Sequence, residues 1–119
     1  MNRQYFIDLI NQKHANVDFE YLEKYLDLVI DYELNSEYSE RHHILPKSIY
    51  PEYKKDSWNL VRLSAKDHFY AHYYLHKALP SESKMTYALW AMCNQENDRH
   101  QRDYLEMFHI EMAAIYEEA

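Results

Sequence analysis

Apolar residues recur at helical spacing in four stretches of the chain, and between the second and third of them the pattern changes. Tyr5, Phe6, Leu9 and Ile10 mark a short first helix. Asp18 is placed to cap a second, in which Phe19, Leu22, Leu26 and Val29 fall on one face. The polar run "LNSEYSE" ends that pattern and leads into an extended piece, "RHHIL". Pro46, Pro51 and "YKKDS" predict an irregular loop, and "NLVRL", Asn59 to Leu63, alternates as a short strand does. Ser64 then stands as an N-cap, with Asp67 three residues on in capping-box position, and Pro80 ends the helix that follows. Ser81 or Ser83 opens another helix with Met85, Leu89 and Met92 inward. From about Arg102 a last helix carries Leu105, Phe108, Met112 and Ile115 on one stripe. The predicted order is helix, helix, strand, loop, strand and three helices, an α+β fold that is mostly helical.

Composition narrows this further. The 119 residues predict one domain, 1–119, with a modest core and no internal boundary. There is no glycine and there are only three prolines, which disfavours a meandering β protein with many sharp turns. Cys93 is the single cysteine, so neither an internal disulfide nor a cysteine-rich zinc module is available. No signal-peptide-like apolar run opens the chain, and no stretch approaches the ~18 apolar residues of a membrane span. The expectation is a soluble, cytoplasmic protein with no membrane association. Net charge is −7, which by itself argues against nucleic acid. The distribution reverses that impression: residues 1–40 carry −6, residues 78–119 carry −5, and the middle, 41–77, carries +4. A polyanion would dock on the basic middle.

The histidines also concentrate there. His68, His72 and His76 are each four residues apart on one predicted helix, so neighbouring pairs share a face one turn apart. Such a pair suits a single cation. His42 and His43 sit side by side in the extended piece, where neighbouring side chains point to opposite faces. One of the two can join His68 and His72 around a metal while the other faces whatever the metal holds. Spacing alone does not say which histidine takes which part. His76 lies a turn too far to share that cation directly, and His14, His100 and His109 have no partner by spacing.

The stretch "ERHHILPKS…WNLVRLSAKDHFYAHYYLHK" resembles the ββα-metal core of HNH endonucleases, the small phage-type ones above all. Three anchors carry the resemblance: Glu-x-His-His-Ile-x-Pro-Lys-Ser, Asn-Leu-Val-x-Leu and Lys-Asp-His-Phe-x-x-His. It is dense over residues 38–77, implies a core of 38–79 with flanking N- and C-terminal helices, and extends loosely to "YFIDLI", "MTYALWAMC" and "RDYLEMF". By position it implies that His42, His68 and His72 are ligands of one divalent metal ion (Mg2+, Mn2+ or Zn2+). It makes His43 the general base and Asn59 the residue that pins the loop between the strands. The implied reaction is hydrolysis of DNA phosphodiester bonds, by nicking or double-strand cutting, in the host cytoplasm if the chain is phage-borne. Arg41 and Lys47 bracket the histidine pair and Arg62 and Lys66 flank the site, so these four are the expected phosphate contacts on double-stranded DNA.

Relatives commonly carry a Gly-Gly turn after the Pro-x-Ser, where this chain has "IYPEY", so the loop along DNA is expected to be reshaped. These residues also show no added DNA-recognition module of the kind many homing endonucleases carry, so sequence-specific cutting is not expected from them alone. The acidic flanks support a second reading: an HNH-like scaffold that inhibits or regulates a nucleic-acid enzyme by binding it as a protein partner.

Overall fold

The computed structural model describes residues 2–94; the helix expected from Arg102, with His100 and His109, lies outside the described residues. Within them the chain is an α+β unit, mostly helical, with one two-stranded sheet. Helix α1 spans Arg3–Lys13 and is capped by Asn2, whose side chain accepts from the Tyr5 amide at 2.9 Å. Helix α2, Phe19–Val29, is capped by Asp18, which accepts from the amides of Glu20 and Tyr21. The chain then turns through Asp31 at φ 57°, the left-handed conformation usually left to glycine, which this sequence lacks.

Strand β1, Glu40–His43, pairs antiparallel with strand β2, Leu60–Leu63. The register sets Glu40 opposite Leu63, Arg41 opposite Arg62, His42 opposite Val61 and His43 opposite Leu60. Helix α3, Ala65–Ala78, follows β2 directly, and helix α4, Ser83–Asn94, packs against it. The α2 and α3 helices form the main packed layer, tied at one end by the Asp18 amide on the Ala78 carbonyl at 2.8 Å. Phe6, Ile10, Leu22, Leu26, Val29, Leu45, Leu63 and Leu75 fill the space between helices and sheet. Among the described residues no helix is long and apolar enough to cross a membrane.

Three details depart from the sequence pattern. Phe19, the first residue of α2, is 52% exposed; the buried stripe begins a turn later and includes Tyr25, fully buried between Leu22 and Val29. Asn59 belongs to a single 3-10 turn, Ser57–Asn59, rather than to the strand, because its side chain bonds across the loop. The Ser64 cap accepts from the Asp67 amide at 3.2 Å, but Asp67 does not return the bond to the Ser64 amide. Tyr32 supplies the missing link: its hydroxyl accepts from the Ser64 amide at 3.3 Å and donates to the Asp67 carboxylate at 2.6 Å.

That hydroxyl ties the chain after α2 to the first turn of the helix that carries His68 and His72. Replacing Tyr32 with Phe removes a charge-assisted hydrogen bond and should cost about 1.5 kcal/mol of stability. Urea denaturation checks this, and an unchanged midpoint would show that the cap stands without Tyr32.

Candidate active site

A β-strand sends alternate side chains to opposite faces, and in β1 this separates the two adjacent histidines. Glu40 and His42 face α3; Arg41 and His43 face outward with Arg62 of β2. On the inner side, His42, His68 and His72 come together, each with a ring nitrogen within 4.8 Å of the others'. The Nε2 atoms of His68 and His72, one helical turn apart, stand 3.2 Å from each other. Two nitrogens bound to one tetrahedral cation at ~2.0–2.1 Å stand about 3.3–3.4 Å apart, so this spacing fits a shared ion.

Two further side chains decide which nitrogen each ring presents. The single proton of the Tyr25 hydroxyl goes to the Ile44 carbonyl at 2.7 Å. Tyr25 must then accept from His42 Nε2–H, also at 2.7 Å, which leaves the lone pair of His42 on Nδ1. Glu40 does the corresponding work for His68: its Oε1 accepts from Nδ1–H at 2.7 Å and leaves Nε2 bare. The other Glu40 oxygen accepts from the Tyr38 hydroxyl. A ligand histidine usually donates its second N–H to such a partner, which fixes the ring and raises its basicity. His72 is the exception, since its Nδ1 is buried without a hydrogen-bond partner.

Burial, and then the neighbouring imidazoles, push the pKa of His42 well down. Burial and His68 push His72 down to about 3, against the opposing charge of Glu40. The neutral, lone-pair form of both rings is therefore the stable one near neutral pH, and that is the form a cation needs. The donor set fits a divalent metal: three imidazole nitrogens, two of them oriented by outer partners, with positions left open.

On the outer side, His43 Nε2 lies 3.1 Å from the Lys54 carbonyl. A carbonyl only accepts, so Nε2 carries the proton and Nδ1 is bare. Burial pushes the His43 pKa down, the Lys54 hydrogen bond opposes this, and the positive charges of Lys47 and Arg41 add to the lowering. Asn59, fully buried, fixes the same loop: its Oδ1 accepts from the Leu45 amide at 2.7 Å, and its Nδ2 donates to the carbonyls of Leu45 at 3.1 Å and Tyr53 at 3.2 Å. Tyr53 precedes Lys54, so Asn59 anchors the backbone next to the carbonyl that orients His43.

A cleft of about 700 Å³ runs from these histidines to α4. Arg41 and Lys47 line it, as does Lys84, which the sequence reading did not select. Arg62 and Lys66 do not line it: Arg62 is held by Ser39 at 2.8 Å, and Lys66 lies on α3 two residues from His68, about 200° around the helix. His76 stays outside the cluster and bonds Thr86 of α4 at 3.0 Å. Tyr25 and Glu40 were also missed. Glu40 was detectable, because it stands two residues before His42 and so shares its face; Tyr25 showed only as another aromatic on a core stripe.

Two measurements follow. His72→Ala should weaken metal binding by a decade or more, and Glu40→Gln by roughly 10–100-fold, in a competitive chelator titration; an unchanged affinity in both would remove the cation from this cluster. In chelator-treated protein, the depressed pKa values of His42 and His72 make stability pH-dependent. Above about pH 6.5 both rings are neutral in the folded and unfolded states alike. As pH falls below that, the unfolded chain takes up protons that the folded one refuses, so stability falls, by about 2 kcal/mol from His72 by pH 5, with His42 acting in the same direction. A melting temperature that stays flat from pH 7.5 to 5 would contradict this.

Comparison with known proteins gives two partial likenesses, both in a bacteriophage. Over 64 residues, 54% of this chain and 43% of the relative, the chain is 41% identical to probable mobile endonuclease E of Enterobacteria phage T4. Over 61 residues, 51% of this chain and 23% of the relative, it is 41% identical to probable mobile endonuclease D of the same phage. The chain thus matches less than half the length of either relative. No family model and no solved structure matches.

Proposed function

We propose that this chain is a metal-dependent endonuclease of the HNH type that hydrolyses DNA phosphodiester bonds, its β1, β2 and α3 forming the ββα-metal core. One observation carries the reading. Adjacent histidines in β1 face opposite ways, His42 into a cluster of three imidazoles and His43 outward with a bare Nδ1, yet both line one basic cleft. The two phage relatives, named as mobile endonucleases, support it independently of that geometry.

His42, His68 and His72 would hold a divalent cation, which would supply positive charge to a scissile phosphate and to the 3′ oxygen that leaves it. His43 accepts a proton on Nδ1 from the attacking water as the water oxygen bonds to phosphorus and the bond to the 3′ oxygen breaks. Lys54, through its carbonyl, keeps the other ring nitrogen protonated and the ring oriented, and Asn59 keeps Lys54 in place. Three imidazoles suit Zn2+, while Mg2+ or Mn2+ are the other candidates for turnover. Arg41 and Arg62 face each other across the sheet, a like-charge pair that costs stability unless a polyanion lies over it. Duplex phosphates passing over residues 41–77 would meet Arg41 and Lys47 at the cleft and Arg62 and Lys66 beyond it.

His43→Ala should keep the fold and the bound metal yet lower the rate of plasmid nicking by ~10²–10⁴. Asn59→Ala should fall between, because it disturbs the placement of the base without removing it. The assay converts supercoiled plasmid at fixed metal, with metal content and melting temperature read on the same samples. Full activity in His43→Ala would move the base elsewhere. Inactivity of the unmutated protein with every divalent ion, combined with tight binding to a protein partner, would favour the scaffold that the acidic flanks suggest.

A further inference from the structure

The cleft is larger and less polar than a phosphate needs. A phosphodiester passing a metal centre requires only a shallow cationic surface, whereas about 700 Å³ is the size of a site for a whole nucleotide. One side holds the histidines and the opposite side is α4. Along α4, Met85 and Ala88 give an apolar wall and Tyr87 stands 66% exposed at its edge. Trp90, 56% exposed, stacks on Tyr87 with ring centroids 6.1 Å apart and planes 28° from parallel. Tyr87 thus offers an exposed ring at the mouth of the cleft. The first turn of α4 is tied to its neighbours: Lys84 Nζ donates to the Ser48 carbonyl at 3.2 Å, and Thr86 bonds His76 of α3. Arg41, Lys47 and Lys84 supply positive charge around the space between the histidines and that apolar wall.

We propose that this cleft receives an unpaired nucleobase next to the scissile phosphate, stacked on Tyr87 with Trp90 behind it. The preferred substrate is then DNA with an unpaired base at the cut, single-stranded or bulged, over fully paired duplex. The reasoning is chemical. Every base has a face that stacks on an aromatic ring, and a base reaches such a ring only when it leaves the duplex. Cations around the rim hold the backbone on either side, and an apolar wall excludes water from the stacked base. The proposal rests on the endonuclease reading for the identity of the phosphate, but base capture is separable from hydrolysis.

The test uses the 119-residue chain carrying His43→Ala, loaded with Zn2+, and three labelled oligonucleotides of one sequence: single strand, perfect duplex, and duplex with a short bulge. 2-Aminopurine at the unpaired position reports stacking by its quenching. The expected result is binding of the bulged and single-stranded forms on the order of ten-fold tighter than the duplex, with quenching. Tyr87→Ala should abolish both the preference and the quenching while melting temperature and duplex affinity hold, and Tyr87→Phe should restore them. Equal affinity for all three oligonucleotides, or a preference that survives Tyr87→Ala, overturns the proposal. Cleavage of plasmid and of the bulged oligonucleotide by unmutated protein, run beside this, separates the two ideas. Cleavage of either without the binding preference sinks base capture alone, and the preference with neither DNA cut sinks the nuclease alone.

Discussion

The candidate site depends on the alternation of side chains along β1. A strand with a period of two turns His42 toward α3 and His43 away from it, and the antiparallel register with β2 fixes that choice. A slip of one residue would exchange the two, burying a ring with no partner on Tyr25 and presenting the other to solvent. Asn59 guards against this slip. Its amide bonds both the amide and the carbonyl of Leu45, two residues past His43, and the Ile44 amide bonds its own carbonyl at 2.9 Å. Register, loop path and the split of the histidines are thus one constraint, seen at three places.

Hydrogen bonds around the site then convert position into chemistry. An imidazole offers one lone pair when neutral, and which nitrogen carries it depends on what the other nitrogen touches. Tyr25 spends its only proton on Ile44 and so forces His42 to donate to it; Glu40 takes the Nδ1 proton of His68; the Lys54 carbonyl takes the Nε2 proton of His43. Each histidine in this group is committed before any ion or substrate arrives. Burial works in the same direction by holding His42 and His72 in the neutral form. The cost is carried by groups such as His72 Nδ1, which is buried without a hydrogen bond.

Much of this was legible in the sequence. The four-residue spacing of His68 and His72 fixes a shared helical face, and the adjacency of His42 and His43 fixes opposite faces of a strand. These are properties of covalent geometry, and they survive without knowledge of the tertiary fold. The helix caps at Asp18 and Ser64 were legible for the same reason. What escaped were contacts between elements far apart in the chain. Tyr25 looks like any other core aromatic until α2 is seen beside β1, and Tyr32 completes the Ser64 cap from 32 residues away. Lys84 and Tyr87 entered the cleft only because α4 folds back across α3. Arg62 and Lys66 were chosen by proximity along the chain, which does not say whether a side chain reaches the cleft.

Anomalous diffraction from crystals of the protein grown with Zn2+ or Mn2+ addresses the central claim most directly. A single strong peak bonded to His42 through Nδ1, His68 and His72, with His43 unliganded and still on the Lys54 carbonyl, is the predicted result. A peak on His43, a fourth protein side chain closing the shell, or no peak within the histidine cluster would contradict it.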